Sequence, residues 1–472
     1  MGNVPLWCYY TNVGTPQQWV QAWQSKQDDL GLTLQMVEAL KSGIGLLSNA
    51  QNVLASPFKA PTDGITDCSQ AFQAAINAAA TASNASARIV YIPDIPNGYV
   101  IANTLYIPSS VLIKGDNLKG LQLSRIKPAT GFTAPIFKSL NYGSARQLYI
   151  GIDGICIDGS NTTLTAIALN CQQSLLRDLT ILDCYTYGIH IGGIGPGSTQ
   201  QALNNVITDN YLAGTIGTTQ FYDGIFLDYY TADTKLFNNY VQACSNAAIH
   251  SRAYNDTATG NHLYAAVYGF LSETSCDKVY SANYIELMSK NGMLFNGGAS
   301  DQATLNAAIH GNIFRNINTA GTENGVIAIE GSNISSFSAM GNAIRSDAGT
   351  SYSTPYMVYL NGIGFPDYSY VGGSCWQSGV ITGGECNEST AIAPTIRGTV
   401  SLAMAGGNTY ATISNDLIRT GSILKWGVPV TRAAANLIPL VSKSAQILGS
   451  ITVTFPNDGT SNTYVLPYEI SI

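Results

Sequence analysis

Three charged residues close a repeated five-residue pattern in the middle of the chain. In Gly224-Ile225-Phe226-Leu227-Asp228, Ala248-Ile249-His250-Ser251-Arg252 and Gly269-Phe270-Leu271-Ser272-Glu273 the order is small, apolar, variable, apolar, polar. As strands, these segments turn Ile225 and Leu227 inward and Phe226 and Asp228 outward. Stacked as neighbouring rungs about 4.8 Å apart, they place Asp228 and Glu273 about 9.6 Å apart at the backbone, with Arg252 between. Inverting cleavage of a glycosidic bond needs one protonated carboxyl for the leaving oxygen and one ionised carboxyl for water, roughly 6.5–9.5 Å apart. Asp228 and Glu273 are therefore the candidate catalytic pair. Arg252 would keep one of them ionised and hold an acidic sugar. Glu273, near Leu271 and Leu294, is the expected general acid and Asp228 the expected base.

The same pattern recurs at 166–170, 188–192, 292–296 and 326–330. Across rungs, the first outward column runs Ala168, His190, Phe226, His250, Leu271, Leu294, Ala328. The second runs Asn170, Gly192, Asp228, Arg252, Glu273, Asn296, Glu330. His190, His250 and Arg252 are expected to contact substrate, with Phe226, Tyr229 and Tyr230 as an aromatic edge that stacks on sugar rings. Glu273 with Glu330 is a second carboxylate pair. β-Elimination uses similar groups, with Arg252, His250 or a Tyr as base or neutralising group. The competing reading is a solvated ladder of surface ion pairs, each worth little. Asp153 and Asp158, beside Gly154 and Gly159, read as turn residues, and no metal or other cofactor is expected.

What positions these columns is a repeat of twenty-odd residues. Asn210, Asn239, Asn261, Asn283, Asn312 and Asn342 stand at steps of 29, 22, 22, 29 and 30. Such elastic repeats mark a solenoid whose units stack on one another. Identical Asn side chains on successive rungs satisfy each other's amides, which lets the column be buried. The longer steps hold insertions at about 193–205 and 299–308 that form loops over the solenoid.

Upstream, Asp67-Cys68-Ser69-Gln70 reads as a capping box, with Asp67 as N-cap and Gln70 reaching back, before a helix at about 68–82. Phe72, Ala75, Ile76 and Ala79 line its buried face. Strands follow at 88–92, 99–101, 105–107 and 111–114. Asp63-Gly64-Ile65-Thr66-Asp67, Ala71-Phe72-Gln73-Ala74-Ala75-Ile76, Val90-Tyr91-Ile92-Pro93 and Tyr99-Val100-Ile101 resemble the entry segment of pectate-lyase-superfamily right-handed parallel β-helices. Phage tailspikes that degrade bacterial polysaccharide belong to that superfamily. The resemblance covers roughly residues 56–390, and it implies an all-β solenoid whose N-terminal end is closed by a short helix.

The resemblance also implies a tailspike-type depolymerase, a glycoside hydrolase acting on a bacterial surface polysaccharide such as capsule or O-antigen. A homotrimer held on a phage tail or baseplate protein through the N-terminal segment is implied with it. The alternatives are a polysaccharide lyase, a non-catalytic receptor-binding spike, and a structural virion rod. Three regions are expected: a helical attachment segment at 1–55, with helix over 17–48; the β-helix at 56–392; and a C-terminal β domain at 393–472 that trimerises or binds carbohydrate. Strands in the last are expected at 394–400, 423–430, 451–455 and 464–472.

Composition agrees with this organisation. Of 472 residues only 11% are charged, while 47 Gly and 27 Tyr favour short strands and turns. A net charge of −7 excludes a basic stripe for nucleic acid. No apolar run of membrane-spanning length and no export signal are visible, so no membrane insertion is expected. A location in the virion tail, after synthesis in the host cytoplasm without a signal peptide, is the expectation. The nine Cys residues lack metal spacing and read mostly as buried thiols, with Cys375–Cys386 as one conceivable bridge.

Overall fold

The computed structural model describes residues 49–345 apart from short stretches at 161, 163–164, 196–199, 217, 219, 274–276, 298–304, 324 and 332–333, together with strands between 356 and 471. The helix expected at 17–48 and the Cys375–Cys386 pairing lie outside the described residues.

Each coil contributes strands to three parallel faces. The first face is a sheet of twelve strands running from Gln51–Asn52 to Tyr368–Gly372. The second face holds the strands that follow the Asn residues, such as Tyr211–Ala213 and Tyr284–Met288. The third holds the five-residue pattern, as in Tyr187–Ile191 and Phe221–Leu227. In two coils the second and third faces are one continuous strand, Tyr240–Ser251 and His262–Ser272. The chain is thus a parallel β-helix.

Its interior is a stack of aliphatic rows. Ile189, Ile225 and Ile249 are in register on the third face, and Leu212, Val241, Leu263, Ile285 and Phe314 on the second, all fully buried. Burial of each such side chain is worth about 1.5–3 kcal/mol, and this supplies most of the driving force. The small residue that opens the third-face pattern answers to space. A Cβ on Gly224 would lie 2.2 Å from Val241 Cγ1 and 2.7 Å from the Ala248 carbonyl oxygen.

The Asn column lies at the corner between the first and second faces, buried throughout. Asn239 Nδ2 donates to Asn261 Oδ1 at 2.9 Å and to the Ile207 carbonyl at 2.9 Å, while its backbone N–H donates to the same Asn261 Oδ1 at 3.0 Å. The contacts repeat from Asn210 to Asn342. From Asn210 to Asn312 each amide is satisfied by the rung before and the rung after, so the column costs little to bury.

The cap helix spans Ser69–Thr81, and Phe72, Ala75, Ile76 and Ala79 close the open end of the core. The expected capping box is corrected in one respect. Cys68 occupies the N-cap, and Asp67 Oδ1 accepts the Ser69 N–H at 2.9 Å, while exposed Gln70 takes no part. Gln73 performs the edge protection: its side chain donates to the Tyr106 carbonyl at 3.0 Å and accepts the Tyr106 N–H at 2.8 Å. One amide side chain thereby stands in for a missing strand neighbour.

Beyond the solenoid, pairing becomes antiparallel. Thr463–Ser471 lies between Thr395–Ala403 and Ile423–Trp426, and Ser450–Phe455 lies between Thr409–Ser414 and Ser442–Ile447. The expected insertion at 299–308 is shorter than its spacing suggested, because Leu305–His310 already forms a first-face strand. Cys68, Cys156, Cys171, Cys184 and Cys244 are buried thiols.

Candidate functional site

Register places the outward columns as the repeat predicts. Ala168, His190, Phe226, His250, Leu271 and Leu294 pair in succession on the third face. At the corner just beyond, the Arg252 N–H donates to the Leu227 carbonyl and the Glu273 N–H to the Ser251 carbonyl. Asp228, Arg252 and Glu273 therefore stand on three consecutive rungs, and the two carboxylates are about two rungs, or 9.6 Å, apart at the backbone.

Two hydrogen-bonded arrays converge on this corner. In one, His190 Nε2 lies 3.3 Å from Asp228 Oδ2, and the Tyr142 hydroxyl lies 3.3 Å from His190 Nδ1. In the other, fully buried Asp223 meets His250 Nδ1 at 2.8 Å, and His250 Nε2 faces Glu273 Oε2 at 3.2 Å. Arg252 Nε pairs with the same Glu273 oxygen. Asp223 is fixed from behind by the Asn246 side-chain amide at 2.7 Å and the Ala247 N–H at 3.0 Å. The result is a chain of charges, Asp223–His250–Glu273–Arg252, running from the interior to solvent.

The charges set one another's protonation. Hydrogen bonding from His250, joined by Arg252 against the opposing effect of burial, holds the Glu273 carboxyl down to about 2. Burial alone would raise Asp228, but hydrogen bonds from His190 and the Tyr229 N–H, with the charge of Arg252, hold it below the usual range. Burial disfavours the His250 imidazolium, yet the bonds to Asp223 and Glu273 outweigh it and raise its pKa. In the free protein both outer carboxylates are ionised.

Two sequence expectations change here. Glu273 was the expected proton donor because of its apolar neighbours, but its imidazole and guanidinium partners hold its carboxyl ionised. Phe226 and His250 were expected at an exposed, sugar-contacting edge, and both are only 4% exposed. Phe226 is sandwiched by Tyr187 at 4.8 Å and His250 at 4.8 Å between ring centroids, with the Arg252 guanidinium 5.6 Å from its own. It is a buried spacer that holds the two imidazoles apart. Tyr229 remains exposed, with Arg252 5.1 Å from its ring, and Tyr230 is half-buried in the following turn. Tyr185 and Tyr222, also exposed, lie on adjacent rungs at the other end of these strands.

The column also breaks where its extrapolation was longest. Asn170 is buried, so that rung presents no polar head to the corner. Glu330 continues the third-face register as the partner of Asn296, two rungs beyond the Glu273 corner position. Asp153 and Asp158 carry ion pairs: Asp153 lies 3.0 Å from Lys114 and 2.6 Å from Arg177, and Asp158 pairs with Arg125. Asp153 closes a strand rather than a turn. Among the described residues no group of three or more His, Cys, Asp or Glu is gathered as metal ligands would be.

Solved structures with this architecture include viral proteins. The chain is similar to a tailspike protein variant of the Escherichia coli bacteriophage HK620 in complex with a pentasaccharide, at 11% identity over 90% of this chain and 94% of that one, with a TM-score of 0.51. It is likewise similar to ORF18 of Geobacillus virus E2, at 17% identity over 92% and 79% of the two chains, with a TM-score of 0.50. A mannuronan C-5 epimerase A-module from Azotobacter vinelandii aligns at 18% identity over 70% and 96%, with a TM-score of 0.47. At such identities the likeness is one of fold. No protein-family model and no curated protein sequence matches the chain.

Several residues of the site escaped the sequence reading. Asp223 sits before the five-residue pattern, at a register shift between Phe221 and Asp223, so period-two alternation misassigns it. Tyr142 comes from the turn two rungs earlier and reaches His190 by length alone. Its hydroxyl was not predictable from column position, although abundant Tyr near the pattern was a signal.

Proposed function

We propose that the third-face corner of this β-helix binds a polysaccharide and cleaves it by hydrolysis, with Asp228 and Glu273 as the carboxylate pair. The observation that carries the reading is their separation by two rungs across Arg252, with the exposed Tyr229 ring beside the guanidinium. That spacing suits a water held between base and sugar, the inverting arrangement. Glu273, kept ionised by His250 and by a guanidinium that cannot give up its proton, activates the water. Asp228 takes the acid role, because it has no direct guanidinium contact among the described residues and burial already opposes its charge, so a bound sugar that displaces water raises its carboxyl further. Exposed Tyr rings supply faces for sugar stacking.

β-Elimination is favoured by one specific contact, the Tyr142 hydroxyl against His190, since a hydroxyl and an imidazole can exchange a proton beside a uronate neutralised by Arg252. The fold likeness to viral proteins supports a virion spike as the setting, with a bacterial surface polysaccharide as ligand, a trimer as assembly, and attachment through the N-terminal segment. Incubation with capsule and O-antigen preparations, followed by sizing of the chains, tests the reading. Shortening by the wild type and its loss in Asp228→Asn and Glu273→Gln are expected. Cleavage retained by both variants overturns the assignment, and absorbance from a new double bond converts hydrolysis to elimination.

A further inference from the structure

Directly beneath the corner, the core stops being apolar. The inward row that holds Leu227 on one rung and Phe295 and Ile329 on later ones holds Ser251 and Ser272 on the two rungs between. The space they release is filled from the first face by Lys278, Asp256 and Tyr280, all buried. The Lys278 ammonium lies 2.7 Å from Asp256 Oδ1 and donates to Ser251 Oγ at 3.1 Å and to the Ala253 carbonyl at 2.5 Å. The Tyr280 hydroxyl donates to Asp256 Oδ2 at 3.1 Å. Tyr280 itself is locked between Phe270, at 4.5 Å, and Phe295, at 5.9 Å between ring centroids.

A buried ion pair is weak support for stability, since apolar side chains of similar volume often do as well. The location of this one is specific. Its ammonium grips Ser251 and Ala253, the residues on either side of Arg252, and the second serine of the row, Ser272, precedes Glu273. Two inward Ser residues at these rungs and a Lys facing them from another face are three independent departures from the aliphatic pattern, all at one corner.

We propose that the Lys278–Asp256 pair is a positioning device for the site: it fixes the turn that carries Arg252, and through Arg252 the orientation of the Glu273 carboxylate. The proposal rests on the reading of Glu273 as the base. The charged and titratable groups that face Glu273 are Arg252 and His250, with Asp223 behind His250 and Asp228 beyond Arg252. Releasing the turn loosens Arg252 and, through Ser251, whose carbonyl accepts the Glu273 N–H, the seat of Glu273 itself. Asn291, whose side chain donates to the Gly325 carbonyl, has no bond to this cluster and serves as a control for general loosening of the core.

The test is the double variant Lys278→Met with Asp256→Leu, which removes both charges together and leaves neither unpaired, compared with Asn291→Ala in the full-length chain. Carbon-13 labelling of glutamate, with Glu273→Gln to assign the signal, follows the Glu273 titration directly. The expected result is a Glu273 pKa higher in the double variant than in wild type and unchanged in Asn291→Ala. On polysaccharide the expected result is a fall in kcat of about tenfold with KM nearly unchanged, and an acid limb of the pH profile moved upward. A folded double variant with the wild-type Glu273 titration overturns the proposal. A wild type that cuts no polysaccharide while the titration shifts as expected instead overturns the hydrolase reading and leaves the positioning intact.

Discussion

Two faces of this solenoid carry nearly the same surface kit. On the second face Tyr211, Tyr240, His262 and Tyr284 form a ladder with centroid spacings of 4.9, 4.8 and 4.8 Å, and Glu286 beside it pairs with Arg315 at 2.9 Å. On the third face Tyr187, Phe226 and His250 stack beside the Glu273–Arg252 pair. Rings, an imidazole, a carboxylate and a guanidinium occur in both. The difference lies behind them. The second-face ladder backs onto Leu212, Val241, Leu263, Ile285 and Phe314, an unbroken apolar row. Behind the third-face corner lie Asp223, Ser251, Ser272, Asp256 and Lys278. A surface carboxylate–cation pair over an apolar wall is a ladder contact. The same pair tied to buried charge has its position and protonation imposed from within, and that marks it as the candidate site.

The comparison breaks most visibly at the two carboxylates. Glu273→Gln is expected to lower polysaccharide cleavage by about 10²–10⁴-fold, the usual loss of an acid–base group. Glu286→Gln, its second-face counterpart, is expected to leave the rate within about twofold, since its half-buried pair with Arg315 lies over an apolar wall and such ion pairs contribute little. Side-by-side rate measurement decides it. Equal losses in both variants would erase the distinction between the faces.

Asp223 sharpens the comparison from the inside. Asp223→Asn keeps the shape and an oxygen for the Asn246 and Ala247 donors, but it removes the charge that holds His250 and sets an NH2 group where the second oxygen meets His250 Nδ1. The cost in urea unfolding is expected at about 1–3 kcal/mol, the penalty for buried polar groups left unmatched. On the second face, among the described residues, His262 has no fully buried carboxylate bonded to it, and its contact with Glu286 is 3.8 Å at a half-exposed position. A stability loss below about 0.5 kcal/mol in Asp223→Asn would mean that the inner charge is not coupled to the fold.

How much of this was legible follows from periodicity. The Asn column and the alternation of Ile225 and Leu227 are local, repeated signals, so the coils, the three-rung alignment of Asp228, Arg252 and Glu273, and most strand positions follow from them. Position along a strand says nothing about cover. Phe226 is outward by alternation and yet buried, because Tyr187 and Arg252 close over it. Asp223 and Lys278 stayed hidden for complementary reasons. A register shift displaces the first, and the second belongs to another face, where a lone Lys in Asp277-Lys278-Val279 reads as a solvated charge. The protonation of Glu273 depends on His250 and Arg252 together, which no single column expresses.

The smallest expected effect separates the two imidazoles by the sign of a pH slope. Burial opposes the His250 charge, but the bonds to Asp223 and Glu273 outweigh it and raise the pKa, so the stability it contributes is fully present below the ordinary value of about 6.5 and is lost as pH rises through the folded value. His262 is lowered, chiefly by burial, with Glu286 only partly opposing. Its neutral form is the one the fold favours, so its contribution is present above about 6.5 and is lost as pH falls toward the folded value. His250→Gln should therefore be most destabilising at the acid end of a series of urea midpoints from about pH 5.5 to 8.5, with the loss shrinking as pH rises. His262→Gln should do the reverse, gaining on wild type as pH falls. The remaining titrating groups are common to each pair of proteins and cancel in the difference, which leaves the slope as the signal. Parallel slopes for the two variants would mean that the buried Asp223 does not distinguish the third-face imidazole from its second-face counterpart.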